Sequence, residues 1–115
     1  ANSFERIELA KQKAKELQLF IILKDHHTAV ITPEKKVFYN ITGNSGMAKG
    51  GSGDVLAGIL TSLISQKYDI EEACVFGVWL HGKAGDFAAA AYSKEAMLPT
   101  DLINKIGSVY QYLNT

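Results

Sequence analysis

The run Gly50-Gly51-Ser52-Gly53-Asp54 stands directly before an apolar stretch, VLAGILTSLI. Glycine amides leading into a helix aim several N–H groups at one spot, and the helix dipole adds positive potential there. Such a site suits an anion, most often phosphate. Asp54 lies in or beside it. Its carboxylate can cap the helix, or it can act as a general base whose charge the same dipole favours. A cap needs one side chain, whereas six of the ten glycines fall between Gly43 and Gly58. That concentration of backbone freedom favours the functional reading. Two familiar phosphate loops do not fit. No Gly-Lys-Ser/Thr follows the glycines, and Leu56 stands where a dinucleotide fingerprint needs its third glycine.

Two other segments carry polar groups of interest, KDHHT at 24–28 and HGKAGD at 81–86. Lys24, at the end of an apolar run, can contact a ligand or be a solvated strand terminus. His26 and His27 are adjacent and cannot share one face of a strand. With no Cys or third His nearby, no metal site is expected, and they read as turn residues. Lys49 can neutralise phosphate or be an exposed loop lysine. Asn44 suits an Asx-type bond that holds the glycine loop. His81 and Asp86 lie five apart, about 140° from one another on a helical wheel, so they do not read as a catalytic pair. His81 reads as a packed helix residue, and Phe76, Trp79 and Phe87 as core. Cys74 has no activating His or Arg at helical spacing, so no nucleophilic role is expected.

Elements must position these groups. Residues 3–18 show apolar positions at helical spacing (Phe4, Ile7, Ala10, Ala14, Leu17), with Asn2 and Glu5 as a capping box. Residues 19–23 (LFIIL) predict a strand buried on both faces, as in a parallel sheet. Residues 28–32 and 37–40 predict two more strands, joined as a hairpin by the polar turn 33–36. A glycine-rich loop covers 41–53. Helices follow at about 54–66, 69–91 and from 99 to about 112, with Asp69–Glu72 as a second capping-box pair and Thr100 as the expected N-cap of the last. The glycines and alanines of the long helix predict close packing or a kink. Three strands are few for so apolar a first strand, so the sheet is expected to be completed by another polypeptide segment.

Composition sets the outer bounds. The chain has 115 residues, 47% hydrophobic and 21% charged, with 12 basic and 12 acidic side chains. That length suits one small domain or a piece of a larger one. A zero net charge argues against nucleic acid or an anionic membrane as partner. The single cysteine excludes an intramolecular disulfide framework and suits a reducing cytosol, so a cytoplasmic location is expected. No apolar run reaches the roughly 18 residues of a membrane span, and the amphipathic N-terminus does not read as a signal peptide.

The segment GNSGMAKGGSGDVLAGI closely resembles the signature of the ADP-dependent NAD(P)H-hydrate dehydratases, members of the ribokinase-like superfamily related to carbohydrate kinases. LKDHHTAVITPE is similar to that family's Lys-Gly-x-x-Thr segment, LHGKAGDFAA to its His-Gly-x-Ala-Gly-Asp segment and LPTDLI to its Ala-x-Asp-Leu stretch. The resemblance runs over essentially the whole chain. It implies that residues 1–115 are the C-terminal portion of a three-layer α/β/α domain more than twice as long. The N-terminal half, with most of the parallel sheet, would come from the same or another chain.

The resemblance also implies a reaction: ADP- or ATP-dependent dehydration of hydrated NADH or NADPH with Mg²⁺, by phosphoryl activation of the ring hydroxyl and then elimination. Asp54 would be the general base at the substrate hydroxyl. The amides of Gly51, Ser52 and Gly53 would form an anion hole for the transferring phosphoryl group. Lys24, Asp25, His26, His27, Thr28 and Gly53 would contact the adenine nucleotide. Asp25 replaces the family's glycine there, and His26 and His27 replace small residues. A homo-oligomer is implied as well. Two other readings stay open: a small-molecule kinase of the same superfamily, and a non-catalytic piece that works only with a complementary chain.

Overall fold

The computed structural model describes residues 2–24 and 27–114. Helix α1 (Ser3–Leu17) is followed by strands β1 (Ile21–Leu23), β2 (Thr28–Ile31) and β3 (Val37–Asn40). A short 3-10 turn (Ser45–Met47) then leads to helices α2 (Ser52–Ser65), α3 (Ile70–Tyr92) and α4 (Pro99–Leu113). Asn2 caps α1 by accepting from the Glu5 amide at 2.8 Å, and its own amide donates to the Glu5 carboxylate. Asp69 caps α3 by accepting from the Glu72 amide.

The strands form one antiparallel sheet in the order β1-β2-β3, with Ile21 opposite Ile31 and Val30 opposite Phe38. The hairpin of β2 and β3 is as expected. The expectation for β1 is corrected: it pairs antiparallel and is half-buried, and the strand buried on both faces is β2. The connection at 24–27 explains the pairing, since a parallel return needs a crossover of a dozen residues or more. Among the described residues, the outer edge of β1 has no partner strand.

β2 is the centre of three layers. Ala29 and Ile31 face α1 and pack on Ala10 and Ala14. Val30 faces the other way, toward Leu56 of α2 and Cys74 and Val78 of α3. A second core lies among α2, α3 and α4, around Leu63, Leu80, Met97 and Leu102. Helix α3 is therefore buried on several sides, and its small residues let its neighbours close in. A Cβ at Gly82 would fall 2.1 Å from Thr42 Oγ1, and one at Gly85 would fall 2.3 Å from Met47 Sδ. The element these two positions admit is the loop before α2, not a second helix. Phe76, Trp79 and Phe87 are half-buried and pack against the second core from its rim. Phe76 stacks on Trp79 at 6.1 Å, and both line an apolar groove between β3 and α3.

Two helix starts also differ from expectation. α4 begins with Pro99 at its first position and Leu98 as N-cap, so Thr100 lies inside the helix. Proline's fixed φ suits that first position, and Asp101 accepts from the Leu98 amide at 2.8 Å. α2 begins at Ser52, two residues before Asp54. No described helix is long and apolar enough to cross a membrane.

Candidate functional site

The start of α2 is built from backbone. Gly51 is its N-cap at φ 97°, a left-handed conformation that favours glycine, and no side chain caps the helix. Helix geometry leaves the first amides without an intrahelical carbonyl. Of the three amides expected to meet an anion, that of Ser52 already donates to the Lys49 carbonyl at 3.2 Å. Gly53 is exposed, and a Cβ there would meet no described atom within 4 Å. The fold itself gives no steric reason for glycine at 53, so the open space suits a group brought from outside. Asp54 is exposed on the same turn and, with Val55 and Ile59, lines a groove of about 510 Å³ that also reaches Ile103 and Tyr110 of α4.

Ser52 turns inward. It is 2% exposed, with its Oγ 3.3 Å from His81 Nε2. The same ring nitrogen lies 3.0 Å from the Ser52 carbonyl oxygen, so Nε2–H donates to it. Burial pushes the imidazole below its ordinary value of 6.5; the carbonyl bond opposes that, and the charge of Lys24 adds to it. His81 is thus a neutral donor that ties α3 to the first residue of α2. Cys74 is also buried, and its thiol is pushed up by desolvation, which leaves it a packing residue.

The loop before α2 is fastened along its length. Thr42 Oγ1 donates to the Trp79 carbonyl at 3.0 Å. Asp86 accepts from the Gly43 amide at 3.1 Å and from Asn44 Nδ2 at 3.0 Å. Asn44 Oδ1 accepts from the Gly46 amide at 2.9 Å, the Asx-type bond expected there. Lys49 Nζ donates to the carbonyls of Glu95 and Met97, so the lysine ties the loop to the α3–α4 connection.

Lys24, His27 and Thr28 face this loop across a cleft of about 470 Å³, whose other wall includes Thr42, Asn44 and His81. Asp25 and His26 lie outside the described residues. Lys24, His27 and Thr28 therefore line a different cavity from the one that Asp54 lines. The HGKAGD segment drew attention in the sequence, but neither the bonds of Asp86 to Gly43 and Asn44 nor that of His81 to Ser52 was expected, since the partners lie far away in the chain. Among the described residues, no three His, Cys, Asp or Glu side chains gather as a metal cage.

A helix start without a side-chain cap, led by glycines and followed by an exposed carboxylate, stands here on a three-layer α/β/α scaffold. The profile of the NAD(P)H-hydrate dehydratase family matches residues 2–108, and the chain belongs to that family. A bifunctional NAD(P)H-hydrate repair enzyme Nnr from Moorella thermoacetica is 40% identical over 109 residues, 95% of this chain and 21% of that one. The solved ADP/ATP-dependent NAD(P)H-hydrate dehydratase of Bacillus subtilis, co-crystallised with ATP/Mg²⁺ and soaked with CoA, superposes with a TM-score of 0.88 at 31% identity. It covers 94% of this chain and 40% of its own. A ribokinase-like superfamily protein from Enterococcus faecalis matches with a TM-score of 0.74 at 30% identity, over 90% of this chain and 35% of that one. The chain thus spans about a fifth of the bifunctional relative and two-fifths of the solved dehydratase, and its fold is part of a ribokinase-like domain.

Proposed function

We propose that this chain carries the nucleotide-phosphate side and the catalytic base of an ADP- or ATP-dependent NAD(P)H-hydrate dehydratase, as the C-terminal portion of that domain. The observation that carries the reading is the first turn of α2: an uncapped helix start with open space at Gly53 and an exposed carboxylate at the next residue.

The residues fit a nucleotide phosphate. Backbone N–H groups at Gly51 and Gly53 are the donors for it, the Ser52 amide being shared with Lys49, and the missing Cβ at Gly53 gives the room. Lys24, His27 and Thr28 line a neighbouring cleft and are assigned to the nucleotide, and the family resemblance adds Asp25 and His26, which stand between them in the sequence. When bound, the nucleotide with Mg²⁺ would supply a phosphoryl group that turns the hydroxyl of hydrated NADH or NADPH into a leaving group. Mg²⁺ is assigned to the nucleotide phosphates, with water completing its shell. Asp54 orients the substrate hydroxyl and takes its proton, and the α2 amides hold the charge that builds on the transferring group. The rest of the substrate pocket is assigned to the remainder of the domain, from the same or another polypeptide. The family resemblance adds a homo-oligomer as the working form.

The test assembles this chain with a polypeptide carrying the remainder of the domain and supplies hydrated NADH, ADP or ATP, and Mg²⁺. Recovery of the near-ultraviolet absorbance of reduced nicotinamide, lost with Asp54→Asn, is the expected result. Phosphorylation of another small hydroxylated substrate with no recovery would replace the dehydratase reading with that of a small-molecule kinase.

A further inference from the structure

Asp86 and His81 are the two polar side chains of α3 that reach the glycine-rich loop, and they reach its opposite ends. Asp86 Oδ2 accepts from the Gly43 amide and Oδ1 from Asn44 Nδ2. His81 Nε2 donates to the carbonyl of Ser52, the residue where the loop becomes α2. Five residues on a helix separate side chains by about 140° and about 7.5 Å along the axis. That spacing is wrong for two groups acting on one atom and suits two groups that flank one face of the helix and grip, from its two sides, a segment lying on that face. Gly82 and Gly85, between them, give the segment its seat against Thr42 and Met47.

We propose that Asp86 and His81 are positioning residues that clamp the entry and the exit of the 43–52 loop onto α3, and that this double clamp sets the aim of the amides at the start of α2. The second half of the proposal rests on the nucleotide reading above; the first half does not. The chemistry of each clamp is specific. Both Asp86 oxygens accept, so an amide in its place turns one N–H against another. Asn44 spans two partners, giving its amide to Asp86 and its oxygen to the Gly46 amide. A carboxylate in the loop and an amide on α3 would therefore keep the whole network, with one bond reversed in direction.

The experiment measures amide exchange and amide chemical shifts of this 115-residue chain, with ADP as the titrated probe. Asp86→Asn is expected to lower exchange protection at Gly46 by tenfold or more and to shift amides at 43–54, while α4 and the β2–β3 pair keep theirs. Asp86→Asn combined with Asn44→Asp restores that protection. His81→Ala is expected to shift the amides of 52–54 and to raise the Kd for ADP at least tenfold, and His81→Gln, which keeps an N–H donor, recovers most of both. The clamp is overturned if the reciprocal pair is no better than the single change. It is equally overturned if loss of protection spreads evenly into α4, or if the single variants leave 43–54 unmoved. Absence of any ADP-dependent shift in the unmutated chain would overturn the second half and the nucleotide reading together, while exchange at 43–54 still decides the first.

Discussion

At position 53 the proposed phosphate contact and the stability of the helix favour different residues. An alanine there would meet no described neighbour, and in a helix it is favoured over glycine by roughly 0.5–1 kcal/mol. Gly53→Ala is therefore expected to raise the melting temperature slightly while weakening nucleotide binding at least tenfold. A variant both more stable and equally tight would mean that no phosphate approaches this turn. Asp54 behaves in a parallel way. Its exposure keeps the stability effect of Asp54→Asn within about 0.5 kcal/mol, yet kcat in the assembled domain is expected to fall by about 10²–10⁴. Both positions stand out in the sequence, because a glycine run before an apolar helix draws attention to itself. Ser52 does not: its partner His81 is 29 positions away, and nothing local says that a serine among glycines points inward.

Among the elements, α3 does the positioning. Gly82 and Gly85 could be read as small, but not as the seat of a loop rather than of a helix, since that depends on which segment arrives; Gly77, by contrast, gives Leu60 and Leu63 of α2 their close approach. Gly82→Ala is expected to cost about 1–3 kcal/mol, because the added methyl meets Thr42 backbone and side chain together; chemical denaturation measures it. His81 gives the same region a pH dependence. Burial holds its folded-state value below the 6.5 of the free side chain, so between the two values the unfolded chain binds more protons. Stability is then full above about pH 6.5 and falls as the pH drops through that window toward the folded-state value. His81→Gln should remove this contribution, and an unchanged acid limb in that variant would assign the dependence to other groups. The strands show the limit of pattern reading. LFIIL and TAVIT are both apolar enough to be buried on two faces. The short turn between them forces antiparallel pairing and puts the second strand, not the first, at the centre of the layers.

For the whole molecule, the three layers are present but the sheet is narrow. The outer edge of β1 has no partner among the described residues, and large apolar side chains such as Phe4 and Ile41 are 72% and 79% exposed. The chain also spans 40% of the solved dehydratase it resembles. Incompleteness was legible in the mismatch between an apolar first strand and too few strands to flank it. Where the exposed faces lie was not, because that depends on how α1 and the helices share the sheet. A polypeptide carrying the remainder of the domain is expected to raise the melting temperature by several degrees and to lower the binding of a hydrophobic dye. No change in either would mean that these faces serve another partner.

In the whole domain, the proposed nucleotide-dependent dehydration runs at α2's first turn and Asp54. The most direct measurement combines this chain with the remainder of the domain, hydrated NADH, ADP or ATP, and Mg²⁺, and follows the near-ultraviolet absorbance of reduced nicotinamide. Recovery that needs the nucleotide and disappears with Asp54→Asn is the predicted result. An assembly verified by mass to contain both parts that gives no recovery, or recovers equally well with Asp54→Asn, would contradict it.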